Sequence, residues 1–170
     1  RTSSFILRLF TSPMKARDYI LGHTLPLIPM AALQISVCFI VAVLLGLEIS
    51  VNMLLALIVL MPAALMYIAI GLLCGSIFTD KQVGGVCGAL LTNGSAWLSG
   101  AWFDVDLVGG AFKAIANALP FLHAVNAGRY ALNGEYGRIM PELAWVIGYA
   151  VALTALAIIA FTKKMNSDNP

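Results

Sequence analysis

Four stretches of the chain are apolar, uncharged and long enough to cross a lipid bilayer. They run over residues 25–47, 53–78, 83–103 and 143–161. Crossing a hydrocarbon core of about 30 Å takes about 20 helical residues. Because lipid offers no partners to backbone N–H and C=O groups, apolar runs of this length are expected to be helical. The sequence therefore predicts an all-α, polytopic membrane protein with four transmembrane helices.

Composition supports a membrane location and excludes several other classes. Hydrophobic residues make up 61% of the chain and charged residues 11%, whereas soluble domains carry roughly 25% charged residues. The net charge of +2 is too small to suggest a nucleic-acid partner. Cys38, Cys74 and Cys87 lie in apolar stretches without CxxC spacing. We therefore predict no metal site and no disulfide framework, and we interpret the cysteines as small packing residues.

The basic residues predict how the chain is oriented, because Lys and Arg concentrate on the cytoplasmic side of a membrane. If both termini are cytoplasmic, most of the basic residues lie on that side, and the opposite side holds Lys113, Arg129 and Arg138 with five acids. The cytoplasmic set is Arg1, Arg8, Lys15, Arg17, Lys81, Lys163 and Lys164. We therefore predict a cell-membrane protein with a cytoplasmic segment at 1–24, a transmembrane domain at 25–161 and a cytoplasmic tail at 162–170.

The stretch 104–142 is predicted to form an outer loop, although its apolar middle resembles a fifth span. A fifth span would bury Lys113 and Arg129, each at a cost of roughly 2.5–3.5 kcal/mol. It would also place the last two lysines outside. We predict instead a re-entrant or interfacial helix pair that is broken near Pro120. Its shared apolar face is predicted to contain Phe112, Ile115, Leu119 and Leu122.

A polar stripe runs along the third predicted span. Gly88, Thr92, Ser95 and Ser99 follow one helical face, and Asn93 lies beside them. Polar side chains on a membrane helix avoid lipid. They therefore face either another helix, through hydrogen bonds, or a translocation path, and the sequence leaves both alternatives open. The candidate path residues are Thr92, Asn93, Ser95 and Ser99.

Glycine pairs and two isolated histidines have simpler interpretations. The pairs Gly71/Gly75 and Gly84/Gly88 flank the turn between the second and third spans, where they would permit close helix packing. The alternative is that glycine is simply common in membrane helices. His23 and His123 are interpreted as interfacial hydrogen-bonding residues rather than as a proton relay.

The N-terminal segment is amphipathic and basic. An apolar patch over residues 5–10 is interrupted by Arg8, and Ser12 is placed to cap a new helix with Pro13 at its first position. Lys15 and Arg17 follow in that helix. The pattern predicts a helix–turn–helix elbow at the cytoplasmic surface, resting on headgroups or docked on a soluble partner.

These residues resemble the cytoplasmic loop of type-2 ATP-binding-cassette (ABC) permeases. The similarity lies in Leu7-Arg8-Leu9-Phe10-x-Ser12-Pro13, followed by Lys15, Arg17 and Tyr19-Ile20-Leu21-Gly22. Later elements are also similar to that family: Gly71 to Phe78 with Gln82, Ser99-Gly100-x-Trp102-Phe103, and Pro120 with Arg129 beyond it. The resemblance covers nearly the whole chain.

The resemblance implies a six-span permease that works as a dimer with an ABC ATPase, so two further helices would precede this sequence. It assigns Arg8, Ser12, Pro13, Lys15 and Arg17 to the surface that contacts the ATPase, and the turn at Asp80 and Lys81 is a possible addition. ATP and Mg are expected on the partner, because the chain has no GxxxxGK[ST] motif. No cofactor is expected in this chain, and its partners would be the ATPase, a second identical or different permease chain, and lipid.

The function implied is that of a permease subunit of an ABC exporter. One alternative is a non-transport assembly or anchoring subunit whose helices only pack. An intramembrane enzyme is disfavoured, because no acid lies within a predicted span and the two histidines are predicted on opposite sides. The substrate is not indicated, since similar scaffolds carry drugs, lipids, polysaccharides and ions.

Overall fold

The computed structural model describes residues 16–167, apart from the side chains at 16, 17, 19, 80 and 164–167. Across that range all regular structure is helical, and no β-strand is present. The elements in chain order are α1 (Ala16–Leu44), α2 (Val51–Ile77), α3 (Asp80–Val83), a π-helix π1 (Gly84–Leu91), α4 (Thr92–Leu98), α5 (Val105–Val108), α6 (Gly110–Ala118), α7 (Pro120–Asn133) and α8 (Tyr136–Ser167). The predicted all-α class is confirmed for these residues.

Three helices are long and apolar enough to cross a membrane: Ile20–Leu44, Val51–Ile77 and Tyr136–Lys163. The fourth span predicted over 83–103 is not among them. Helical structure there is divided by π1 and ends at Leu98, and the chain then turns through Gly100 at a positive φ of 67°. This span therefore stays a prediction.

The core of the bundle lies where α2, α7 and α8 meet. Met66 in α2, Phe121 in α7 and Val146 in α8 are buried in one cluster. The buried side of α7 carries small residues, including Ala124, Ala127, Gly128 and Ala131. Small side chains let membrane helices approach closely. The approach is tightest at Gly128, where a Cβ would lie 3.2 Å from Leu60 Cδ2.

Helix α7 runs antiparallel to α2 from the middle of that helix to its N-terminal end. Phe121 stacks on Tyr67 with ring centroids 5.9 Å apart, and Asn52 Nδ2 donates to the carbonyl oxygen of Leu132 at 3.2 Å. Tyr67 lies 15 residues beyond Asn52, or about 22 Å along a helix about 40 Å long. The hairpin formed by α6 and α7 therefore reaches halfway along the bundle.

The break between α6 and α7 falls where the sequence predicts it. Leu119 is extended (φ −97°, ψ 150°) and Pro120 begins α7, because a residue before proline is disfavoured in the helical region. Of the residues predicted to share one apolar face, Leu122 is buried in a small cluster against which Phe112 packs, whereas Ile115 is 52% exposed. The contact of this face with the outer leaflet stays a prediction.

The interpretation of the two glycine pairs as a close helix contact is wrong for this chain. A Cβ added at Gly71, Gly75, Gly84 or Gly88 would meet nothing within 4 Å. All four positions are exposed. The glycines that do make close contacts are Gly128 and Gly100, and at Gly100 a Cβ would lie 3.1 Å from side-chain atoms of Leu122 and Val105.

Candidate functional site

Most of the predicted ATPase-coupling surface lies outside the described residues: Arg8, Ser12, Pro13 and Lys15. The backbone of Arg17 lies in the first turn of α1. The backbone of Asp80 begins α3, and Lys81 follows it with an exposed side chain. Phe161 near the end of α8 lines the same groove as Ile20 and Ser76. The start of α1 and the ends of α2 and α8 therefore share one end of the bundle with Lys81.

The turn between α2 and α3 is held by its own side chains. Gln82 Oε1 accepts hydrogen bonds from the backbone N–H of Thr79 at 3.1 Å and from its hydroxyl at 3.0 Å. These contacts fix the first turn of α3 and leave Lys81 exposed. The turn thus presents a cation on a short, defined link between two long helical segments. Its role in coupling stays a prediction.

The candidate path residues do not share one environment. Ser95 and Ser99 are buried, each 6% exposed, whereas Thr92 and Asn93 are exposed. The side chain of Thr92 bonds to the carbonyl of Cys87, and that of Asn93 bonds to the carbonyl of Ala89. The serines likewise donate to carbonyls three residues earlier, at 3.0 and 2.8 Å.

The predicted one-face stripe is divided between π1, which contains Gly88, and α4, in which Thr92 is exposed and Ser95 is buried. A π-helix bonds i→i+5 rather than i→i+4, so side chains beyond it are rotated from their α-helical positions. Gly88 lies within π1 and is exposed together with Thr92. Ser95, by contrast, is buried and donates to the carbonyl of Thr92. Lining of a path by these residues stays a prediction.

The hairpin is fastened to its neighbours by polar contacts that the sequence analysis did not find. Arg129 in α7 donates from Nη2 to the carbonyl of Gly100 at 2.9 Å. Tyr149 in α8 donates to the carbonyl of Ala118 at 2.7 Å, at the end of α6. Backbone carbonyls at helix ends and in turns lack a partner within a helix, so these bonds satisfy one carbonyl in the turn after α4 and one at the end of α6.

A histidine–glutamate pair adds a third contact. His123 in α7 pairs through Nδ1 with the Oε2 atom of Glu142 in α8. The sequence analysis treated His123 as isolated, because the two residues are 19 positions apart. The available signal was Gly134, which ends α7 in the left-handed region. A short turn there makes α7 and α8 antiparallel neighbours and brings their facing polar residues together.

A family model described as "ABC-2 family transporter protein" matches residues 1–159. The chain belongs to the ABC-2 transporter family. This confirms the resemblance to type-2 ABC permeases found in the sequence. Comparisons with curated proteins and with solved structures find no match. As an ABC-2 protein, the chain is a multi-pass membrane permease component of an ABC transporter, which associates with an ABC ATPase and is not itself the catalytic subunit.

A long groove in this ABC-2 chain is lined mainly by residues of α1 and α2. Its volume is about 1130 Å³, and its walls are mainly aliphatic. His23, Gln34, Tyr67 and Ser76 are among its few polar residues. An 18-residue apolar window of α1 contains no buried residue. In this ABC-2 protein, α1 is therefore the most loosely packed of the three candidate spans.

Proposed function

We propose that this ABC-2 chain is the permease subunit of an exporter that moves its substrate by alternating access, driven by a partner ATPase. The observation that carries the proposal is the family match over residues 1–159, which includes the basic N-terminal segment and extends into the last candidate span. ATP and Mg are held by the partner in this proposal, because the chain lacks a GxxxxGK[ST] motif. Two global arrangements of the helices, inward- and outward-facing, are biased by nucleotide.

The basic end of the bundle receives the movement of the ATPase. The coupling surface in this proposal consists of Arg8, Ser12, Pro13, Lys15 and Arg17, with the turn at Asp80 and Lys81. The shared position of Lys81, the start of α1 and the end of α8 supports it. Both termini are cytoplasmic and the chain resides in the plasma membrane, which satisfies the excess of Lys and Arg expected there.

The translocation path lies along the exposed face of α4, between this chain and a second permease chain. Thr92 and Asn93 are exposed on a helix that would otherwise place polar side chains in lipid, and a second chain or an aqueous path removes that conflict. Ser95 and Ser99 lie behind them, toward α2 and α7. The second chain is identical to this one or a close relative.

Coupling is tested by charge reversal in the full-length chain, co-expressed with a candidate partner ABC ATPase and reconstituted in nanodiscs. Lys15→Glu combined with Arg17→Glu is expected to lower ATP turnover dependent on this chain about tenfold, within the usual range of coupling between sites. Lys113→Glu is the control, because Lys113 is predicted on the opposite side. Equal turnover in all three proteins contradicts the coupling surface. Failure of the wild-type chain to bind any ATPase instead supports an anchoring subunit.

Orientation is tested by labelling with a membrane-impermeant thiol reagent in sealed, right-side-out vesicles. Single cysteines are placed by Lys15→Cys, Lys164→Cys or Asp106→Cys in a chain whose three native cysteines are changed to alanine. Only the protein labelled through Asp106→Cys is expected to react before the vesicles are opened. Reaction of just one of the two lysine positions would overturn the shared cytoplasmic location of the termini.

A further inference from the structure

The groove lined by α1 and α2 follows most of the length of α1. Its lining extends from Ile20 to Ala42, which is about 33 Å along a helix. Its volume is about 1130 Å³, so its mean cross-section over that length is about 34 Å². Both walls belong to candidate membrane spans. The groove therefore lies at the depth of the hydrocarbon core.

The groove is too narrow to hold another helix. A helix with its side chains is about 10–12 Å across, which corresponds to a cross-section of about 80–110 Å². Helix α1 also contacts both α2 and α8, so a further helix cannot lie between them at those contacts. An extended hydrocarbon chain is much thinner, because it is one methylene group wide, and it fits the groove.

Two glycines open the α2 wall of the groove. Gly71 and Gly75 line it, and a Cβ at either position would meet nothing within 4 Å. The space beside them is therefore not filled by the described part of the chain. Lipid tails are as apolar as a leucine side chain, so they are suited to this space.

Polar side chains lie at both ends of this part of the groove. His23 and Ser76 lie toward one end of the spans, and Gln34 and Tyr67 lie within about 5 Å of the middle of their spans along the helix axis. The walls between these residues are about 14–17 Å long, compared with about 15 Å for half of the hydrocarbon core. The apolar part between them thus has the depth of one leaflet, which is the length of one lipid chain.

Basic residues surround the end of the groove that lies at the leaflet surface. Ile20, Ser76 and Phe161 line that end. Within five positions of them in the sequence are five basic residues and two acidic ones, namely Lys15, Arg17, Lys81, Lys163 and Lys164, with Asp18 and Asp80. Basic sites between membrane helices on the cytoplasmic side bind anionic headgroups. The excess of positive charge therefore favours a phosphate group here.

We propose that the groove binds one anionic phospholipid of the leaflet beside this basic end, which is the cytoplasmic leaflet in the proposed orientation. One acyl chain lies along Gly71 and Gly75, and the phosphate lies at the end that carries Lys81 and Lys163. The lipid fills the space that the loose packing of α1 leaves. It does not follow the path proposed along α4, so this inference does not depend on transport.

The test counts the lipids retained by the purified full-length chain, by native mass spectrometry. The chain is equilibrated in mixed micelles with equal amounts of phosphatidylglycerol and phosphatidylcholine that have the same acyl chains. Gly71→Phe places a large side chain in the groove. Gly22→Phe is the matched control, because a Cβ at Gly22 also meets nothing within 4 Å and Gly22 does not line the groove.

The wild-type chain is expected to retain one phosphatidylglycerol molecule per chain. Gly71→Phe is expected to retain less by about fivefold or more, as for an overpacked site, whereas Gly22→Phe is expected to match the wild type. Equal retention by Gly71→Phe and the wild type overturns the proposal. A wild-type chain that retains no lipid also overturns it, and loss of a dimer in Gly71→Phe would then mean that protein fills the groove. If Gly71→Phe does not fold, Gly75→Leu takes its place under the same criteria.

The headgroup is tested by Lys81→Gln combined with Lys163→Gln. This variant is expected to lower the preference for phosphatidylglycerol over phosphatidylcholine by about tenfold, within the range for two basic residues near a membrane surface. Lys113→Gln is the control, because Lys113 is predicted on the opposite side, and it is expected to keep the preference. A wild-type chain that retains both lipids equally contradicts the anionic headgroup, as does an unchanged preference in the double variant.

Discussion

At the scale of single residues, close packing in this bundle depends on positions where an added side chain would be tight. Gly128 is such a position, because a Cβ there would lie 3.2 Å from Leu60 Cδ2 of α2. The sequence contains 15 glycines, and periodicity alone does not distinguish those that contact a neighbour from those that face outward. That distinction depends on how α2 and α7 pair, which is tertiary information.

Replacing Gly128 with leucine is expected to destabilise the chain by about 1–3 kcal/mol, since the new side chain must displace Leu60 from a filled contact. The matched control is Gly148→Leu in α8, where a Cβ would meet nothing within 4 Å. The control is expected to be neutral or slightly stabilising, because leucine is the better helix former. Unfolding in mixed micelles measures both, and equal losses would contradict the close approach at Gly128.

The environments and partners of the polar residues in the candidate site could not be predicted from the sequence. The i, i+3 spacing predicts that Thr92 and Ser95 share a face, yet within α4 Thr92 is exposed and Ser95 is buried. Their burial depends on which side of α4 packs on α6 and α7, which helical spacing does not determine. Propensity rules do not place π1 either, because a π-helix is rare. His123 was found in the sequence, but its partner was not, because the pairing follows from the contact between α7 and α8.

At the scale of elements, local chemistry predicts the helix breaks better than the helix contacts. Pro120 starts α7 and Gly134 ends it, and both roles follow from the backbone restrictions of these residues. The side of the hairpin that becomes buried does not follow from them. Ala116 is buried and Ile115 is exposed, because α5 and α4, rather than lipid, cover that part of α6.

Arg129 links the hairpin to the turn after α4, so its loss is expected to weaken that junction. Arg129→Met keeps the aliphatic stem and removes the donor to Gly100. It is expected to lower the free energy of unfolding by about 1.5–3 kcal/mol, as for other hydrogen bonds that involve a charged group. Arg138→Met is the control and is expected to change little, since its contacts with Glu135 and Tyr130 are on the surface. A larger loss in the control would contradict this assignment.

The turn between α7 and α8 requires a residue in the left-handed region. Gly134 has φ 77°, and a Cβ there would lie 3.3 Å from Asn52 Nδ2. Gly134→Ala is expected to cost about 1–2 kcal/mol of unfolding free energy, from the left-handed backbone and the shift of Asn52. Gly137→Ala, three residues later in an open helical position, is expected to be neutral. Chemical denaturation of both variants in the same micelles measures the difference.

At the scale of the whole molecule, the three candidate spans contribute unequally to the core. Over an apolar window of 18 residues, a third of the residues of α2 are buried, compared with none of those of α1. Hydropathy predicts both spans equally well, because lipid and protein interiors are both apolar. It therefore cannot identify which helix is central, and the order α2, α7, α8 around one core emerges only from the folded arrangement.

Two methionines, changed in the same way, test whether α2 contributes more to the core than α1 does. Met66 in α2 is fully buried in the main core cluster, whereas Met30 in α1 is 65% exposed. Met66→Ala is expected to lower the free energy of unfolding by about 2 kcal/mol, near the low end for a buried methionine. The cost is low because the side chain enters lipid rather than water on unfolding, so that the loss comes from the cavity alone. Met30→Ala leaves no cavity in the bundle and is expected to be nearly neutral. Reversible unfolding in mixed micelles measures both proteins under one condition. Equal costs would mean that α1 belongs to the core, and the central position of α2 would then be wrong.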